Sequence, residues 1–233
     1  MAIADDLRII AERANRDLDA IHDYVEHTKI VWVSFEYHVR LGHAVSLMNP
    51  ATGTIVDEAG LVQLAPLYVR KYLLTLTFRQ FIATFEAFFF DFLHRILQHN
   101  PWQFAKNRLE FETVLKANDR DEIIAGVLRK QLNELKYENV RDWFDALNKT
   151  VKLNCPTADE IDSLAEMKAT RDLLEHNGGI ANETYIRKAG TKARYAAGEQ
   201  IEIDGDYHVA SWQLVKKVVA DLADTATAKL TTS

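Results

Sequence analysis

The chain has 233 residues, 48% of them apolar and 27% charged, with 28 basic against 34 acidic side chains for a net charge of −6. That is the make-up of a folded chain rather than a disordered one, and its acidic balance excludes a surface that is basic all over, leaving room for a local basic patch only. With 9 glycines and 4 prolines it has too few turn formers for a many-stranded sandwich or barrel, and its single cysteine, Cys155, excludes an intrachain disulfide.

The N-terminal MAIADDLRII brings Asp5 and Asp6 where a secretory signal carries basic residues. The most apolar stretch, Leu73 to Leu97, is interrupted by Arg79, Glu86, Asp91, His94 and Arg95, which argues against a bilayer span. The expectation is a cytoplasmic protein with no membrane partner. Leu7, Ile10, Ala14, Leu18, Ile21 and Val25 recur at steps of three and four, so a first amphipathic helix is predicted, continuing through the β-branched Ile30-Val31-Trp32-Val33 toward Leu47. Asn49-Pro50, Gly53 and Gly60 mark a loop, and Pro66 reads as a helix start. Leu67 to Gln98, with Phe78, Phe81, Phe85, Phe88, Phe89 and Phe92, is apolar nearly all round, the pattern of a bundle's central helix. Shorter helices are expected over 107–117, 120–135 and 139–149. Thr157 with Glu160 forms a T-x-x-E capping box that opens a helix ending at His176, with Gly178-Gly179 as its stop. Ile201 and Ile203 alternate with acids before Asp204-Gly205, which predicts a small hairpin over 200–209, and a last helix is expected from Ser211 to about Ala228. The fold class is therefore all-α, a helical bundle with one small hairpin. Residues 1–60 are read as an N-terminal helical segment packing on a domain over 61–233.

The stretch ATRDLLEHNGGIANETYIR, residues 169–187, is the richest in chemistry. Arg171 and His176 form an R-x4-H at a helix end. Arginine offers planar, permanently charged donors to a phosphate, and histidine a proton donor and acceptor near neutral pH. Together they suffice for metal-free RNA cleavage, in which the 2′-hydroxyl attacks the adjacent phosphate and an acid protonates the leaving oxygen. Asp172, four residues before His176, is placed to orient the imidazole. The same spacings also suit a solvated helix, with Arg171–Glu175 and Asp172–His176 as ordinary i,i+4 pairs. Residues i and i+5 stand about 140° apart on an ideal helix, so either a distorted last turn or a second copy of the motif is needed to aim both groups at one atom. A similar R-x5-H, Arg16 to His22, lacks the Asn-Gly-Gly continuation.

The phrase from Arg171 to Tyr185, with its His-Asn-Gly-Gly turn, Asn182 and Tyr185, resembles the HEPN family of helical domains, whose hallmark is an arginine, a polar residue and then a histidine a few positions on. Beyond that phrase the likeness extends to helix order only. The resemblance implies a helical bundle, a homodimer that brings two motifs together, and metal-independent endoribonuclease activity of the toxin–antitoxin or phage-defence kind, with a neutralising antitoxin protein as a partner. It makes Arg171 the group that holds the scissile phosphate and His176 the general acid and base, with no cofactor. Asp172 stands where the family usually has asparagine or another polar residue, and some members are non-catalytic domains that bind a partner protein or nucleotide. That is the alternative reading.

From Thr184 to Gly198 the basic Arg187, Lys188, Lys192 and Arg194 are interleaved with Tyr185 and Tyr195 and no acid. With Asn177 they form the expected RNA-binding set, cations for the backbone and rings for a base. Glu86, on the central helix, needs a cationic partner, either Arg79 or the Arg171/His176 pair, and with Glu175 it is the expected supporting shell. His22/His27 and His38/His43, each spaced i,i+5, do not share a helix face, and no metal site is expected. Cys155, with no base beside it in sequence, reads as structural.

Overall fold

The computed structural model describes residues 3–43, 46–100 and 119–231. Helix α1, Ile3–Arg40, buries the stripe Leu7, Ala11, Ala14, Leu18 and Val25 at helical spacing. The β-branched run at 30–33 stays helical. The helix stops at Arg40, short of the expected Leu47, because Gly42 adopts φ 80 and turns the chain out of the helix.

Among the described residues the one small sheet is the antiparallel pair β1, Leu47–Met48, and β2, Ile55–Val56, with Leu47 opposite Val56. Its turn runs through Gly53 at φ 66, and the Asn49 side chain accepts from the Ala51 amide at 2.9 Å. The hairpin expected over 200–209 does not form. Residues there make one isolated bridge, Ile180 to Gln200, and Asp204 Oδ1 accepts from the Tyr207 amide at 2.8 Å. Asp-Gly serves either a tight hairpin turn or a helix start, and the helical periodicity of the residues after Gly205 decides for the second. The last helix accordingly begins at Gly205, ahead of the expected Ser211. The alternation of Ile201 and Ile203 is real, since both side chains are buried as the extended segment enters the core.

Asp57 caps α2, Glu58–Pro66, by accepting from the Gly60 amide at 2.9 Å. Pro66 therefore closes this helix instead of opening the next. The rod continues through a π-helical stretch, Leu67–Leu73, into α3, Leu74–His99, a widened turn following the residue that lacks an N–H to donate. Residues Glu58–His99 are long and apolar enough to cross a membrane, but 56% of the apolar window is buried inside the protein. The rod is a core helix. Phe78, Phe81, Phe89 and Phe92 are fully buried on it, and Phe89 meets Trp143 and Phe144 with ring centroids 5.6 and 5.2 Å away.

The expected helix over 107–117 lies outside the described residues. Next come α4, Arg120–Lys136, α5, Val140–Thr150, α6, Ala158–His176, α7, Glu183–Ala189, and α8, Gly205–Thr231. The long helices α1, α3 and α8 pack on one another, while α6 lies against α3, α5 and α7. One hydrophobic cluster runs from Leu7 and Leu18 through the α3 phenylalanines to Leu222 and Ala226, so the N-terminal half of α1 shares the core of residues 61–231. Beyond Val25, α1 does not share it. Ile30, Val31, Val33 and Tyr37 are exposed there, as are Tyr68, Tyr72 and Leu76 on the adjoining rod.

Candidate functional site

The helix that carries the motif is fixed at both ends by local chemistry. At its start Thr157 Oγ1 accepts from the Glu160 amide at 3.3 Å while Glu160 Oε2 accepts from the Thr157 amide at 2.8 Å, the reciprocal capping box read from the sequence. At its end Leu173 O accepts from the amides of Asn177 and Gly179 at 2.9 and 3.0 Å. Gly178 and Gly179 hold φ 62 and 77 to make that possible, and Asn177 Nδ2 donates to Ile180 O at 2.6 Å. The His-Asn-Gly-Gly phrase is thus a complete helix stop, and it leaves His176 exposed on the last turn.

Beside it opens a cleft of about 520 Å³ whose lining includes Arg171, His176, Asp172, Asn177, Lys188 and Glu86. Arg171 and His176 thus face one cavity although their directions along an ideal helix diverge. Arg171 is 21% exposed; its Nη1 donates to Asp172 at 3.2 Å, its Nη2 to Glu86 at 3.4 Å, and its buried Nε has no partner among the described residues. Lys168, 16% exposed, donates to both Asp172 oxygens at 3.2 and 3.0 Å and stands 3.5 Å from Glu86. Lys188 reaches Asp172 at 3.6 Å.

Two expectations change as a result. The Asp172 carboxylate is held by Lys168, Arg171 and Lys188, and no hydrogen bond ties it to His176. Arg171 and Glu175 do not pair either. Glu175 instead takes both arms of Arg79, at 3.0 and 2.5 Å, and this bidentate bond holds its carboxyl below the usual range, with the Arg79 charge adding to the effect. With Arg79 engaged there, Glu86 finds its partners at the motif, the second of the two possibilities left open by the sequence.

The expected RNA-binding set divides. Asn177 and Lys188 line the cleft, and Arg187 is exposed on α7. Tyr185 touches the cleft yet is only 1% exposed, and its hydroxyl donates to Glu166 at 2.9 Å. Burial, reinforced by the Glu166 charge, pushes that hydroxyl up to about 12. Arg194 is turned inward as well, donating to Glu166 at 3.2 Å and lying 3.3 Å from the centre of the Tyr207 ring. Lys192 pairs with Asp159 at 2.6 Å, and the Tyr195 hydroxyl donates to Glu202 O at 2.9 Å. The 184–198 segment is tied to the fold at each of these points and is no free basic arm.

Sequence reasoning missed Lys136, Tyr137 and Lys168, all of which line the cleft. Lys168 was within reach, because i−3 from Arg171 and i−4 from Asp172 put it on the same helix face. Lys136 and Tyr137 come from the end of α4, and no local signal connects them to the motif. The lining thus holds four permanent cations, Lys136, Lys168, Arg171 and Lys188, against the carboxylates of Glu86 and Asp172, a positive cavity on an acidic protein and suited to an anion.

The other candidates have structural places. His22, of the second R-x-H spacing, stacks on Trp212 with centroids 3.8 Å apart. Cys155 donates to Asp221 O at 3.5 Å. Among the described residues no three of His, Cys, Asp and Glu gather as a metal-binding group. Compared with family models, with curated proteins and with solved structures, the chain matches none.

Proposed function

We propose that this chain is a metal-independent endoribonuclease of HEPN type, acting as a homodimer in a toxin or phage-defence role, with an antitoxin protein as its neutralising partner in the first case. The observation that carries the reading is the single cleft lined by Arg171, His176, Lys136, Lys168 and Lys188. The 2′-hydroxyl gives up its proton to the imidazole of the second copy's His176 as its oxygen attacks phosphorus, the bond from phosphorus to the 5′-oxygen breaks, and a 2′,3′-cyclic phosphate results. His176 gives its proton to the departing 5′-oxygen, and Arg171 holds the non-bridging oxygens as charge builds on them. A second copy of the chain supplies the complementary pair across a two-fold axis, answering the divergence of about 140° between residues five apart on a helix. The uncovered apolar strip through Tyr72 and Leu76 ends one turn before Arg79, whose partner Glu175 adjoins His176.

A second reading has its own support. Arg171 is already engaged by Glu86 and Asp172, which favours a non-catalytic domain that binds a nucleotide or a partner protein. Incubation of the purified protein with total RNA in EDTA, beside a His176→Ala variant, separates the two. Cleavage that persists in EDTA, leaves cyclic phosphate ends and is lost in the variant supports the nuclease. Cleavage that needs added Mg²⁺, or that survives His176→Ala, refutes it.

A further inference from the structure

The cleft continues on its α3 side. Glu86 and Lys136 also line a second cavity, of about 360 Å³, with Phe90, Asp91 and Trp143. Lys136, Phe90 and Asp91 in turn line a third, of about 340 Å³, that runs on to His94 and Arg129. These shared walls make the three cavities one groove along the seam between α3 and α4. From Glu86 to His94 the α3 wall advances about 12 Å, at 1.5 Å per residue. That accommodates about three nucleotides at a stacked rise of about 3.4 Å each.

The walls are chemically uneven in a way that selects an occupant. Lys136 and Arg129 are exposed on α4, one turn and more apart on the groove side. Of the acids, Asp91 is drawn off by Arg13 at 2.6 Å and Glu86 by Arg171 and Lys168. Tyr137 stands at the mouth of the motif cleft and is 88% exposed, an open aromatic face beside a line of cations. The apolar side chains of the lining, Phe90, Leu132 and Trp143, are themselves buried, and Lys136 lies 5.2 Å over the Phe90 ring, so an apolar helix from a partner protein would meet cations at the surface. An unpaired nucleobase would find a ring to stack on and its phosphates would find cations, whereas the bases of a duplex are already stacked on each other.

We infer that the groove is a track for single-stranded RNA, with Tyr137 as the stacking platform next to the scissile position and Lys136 and Arg129 gripping the flanking phosphates. The inference rests on the RNA-cleaving reading of the motif and extends it to the class of substrate and the direction in which the strand leaves the site.

The test uses the full chain and fluorescently labelled 2′-O-methyl RNA, which lacks the attacking hydroxyl, as an eight-nucleotide single strand, a dinucleotide and a duplex, read by anisotropy. Melting curves check that the exposed-site variants Arg129→Ala/Lys136→Ala and Tyr137→Ala are folded. The double variant weakens binding of the eight-nucleotide strand at least tenfold and flattens its salt dependence by about 1.4 in log–log slope for two lost phosphate contacts, while Arg129→Ala alone, outside the motif cleft, leaves the dinucleotide unaffected. Tyr137→Ala weakens the strand by about 5- to 150-fold, the range for one lost stacking contact. Wild-type affinity in both variants, equal affinity for the duplex, displacement by polyglutamate as effective as by RNA, or no binding by the parent protein would each overturn the inference. The EDTA cleavage assay reads the motif separately. Groove-dependent binding without cleavage leaves the track standing and removes the nuclease, and His176-dependent cleavage with no groove dependence does the reverse.

Discussion

Replacing Glu166 tests what holds the motif helix against the rest of the fold. This carboxylate is 3% exposed on α6, and its Oε1 accepts from Thr170 Oγ1 at 2.8 Å, the Tyr185 hydroxyl at 2.9 Å and Arg194 Nε at 3.2 Å. Its Oε2 accepts from the Tyr207 hydroxyl at 2.6 Å. One side chain thus joins α6 to α7, to the segment after it and to α8. Glu166→Ala strands the Arg194 guanidinium, whose Nη2 already has no partner among the described residues, together with two tyrosine hydroxyls. Removing one member of a buried ion pair costs about 3–5 kcal/mol. At about 2–4 °C per kcal/mol for a chain of this size, Tm falls by about 6–20 °C. Glu166→Gln keeps one acceptor oxygen for Thr170, Tyr185 and Arg194 and puts a donor NH2 where Oε2 accepts from Tyr207, whose hydroxyl can turn to accept, so its cost is smaller, about 1–3 kcal/mol. Urea unfolding followed by circular dichroism, with the slope m checked for constancy, measures both. The same variants carry a second signature. Burial is the larger cause of the raised Tyr185 hydroxyl and the Glu166 charge the next, so ultraviolet titration finds it lowered from about 12 but still above an ordinary tyrosine. If Glu166→Ala lies within about 1 kcal/mol of the parent, a loss well below that of breaking a buried pair, the network does not anchor the motif helix.

Acid sensitivity is expected from His208, which is fully buried, bonds Thr77 Oγ1 through Nε2 at 2.8 Å and has its titration pushed down to about 4 by burial, with the Lys29 and His22 charges adding to the effect. The unfolded chain binds this proton below about pH 6.5 and the folded one does not, so stability falls as pH drops from about 6.5 to about 4, by about 3 kcal/mol in all, and no further below that. Urea midpoints across that window in the parent and in His208→Gln check it, and an equally steep loss in the variant would exclude His208 as the cause. At the motif, Arg171→Ala removes a half-buried cation from Glu86 and Asp172 and costs about 1–3 kcal/mol, while His176→Ala, on an exposed last turn, changes stability by less than about 0.5 kcal/mol. Denaturation of the two variants side by side reads the difference, and a larger loss from His176 would contradict the geometry.

What the sequence made legible of the fold was what short-range chemistry decides. The stripe on α1, the all-round apolar α3, the capping box at Thr157 and the glycine stop after His176 each depend on residues within a few positions of one another. The misplaced features are those for which two local grammars compete. Asp204-Gly205 can turn a hairpin or open a helix, and the choice lies in the periodicity of the next twenty-odd residues. Pro66 can open a helix or sit at the end of one, and the Asp57 cap nine residues upstream decides for the second. Gly42 ended α1 where the apolar period ran on, because a left-handed backbone position outweighs a few more helical contacts.

The site divides along the same line, and partner choice is where it was least legible. Spacing along α6 identified Arg171, Asp172 and His176 but paired Arg171 with Glu175 and Asp172 with His176, whereas Asp172 takes Lys168 and Arg171 on its own helix and the other partners come from α3 and α7: Arg79 takes Glu175, and Glu86 and Lys188 join the motif. The basic residues after it looked interchangeable in sequence, yet Arg194 is spent on the buried Glu166 and Lys188 is not. The difference has a consequence for what Arg171 can do. Arg194 cannot leave Glu166 without taking away the only cation that reaches that carboxylate among the described residues. Arg171 has no such constraint. If its guanidinium turns to an entering phosphate, Glu86 keeps Lys168, and Asp172 keeps both Lys168 and Lys188. The costly event in a half-buried ion cluster is an unpaired charge, and here neither carboxylate is left unpaired when the arginine leaves. An arginine held by two acids is in most settings a structural ion pair. One whose acids have a second cation each is a structural pair that can be exchanged for a ligand, and between the Glu166 cluster and the motif cluster on α6 only the one at the motif has that property.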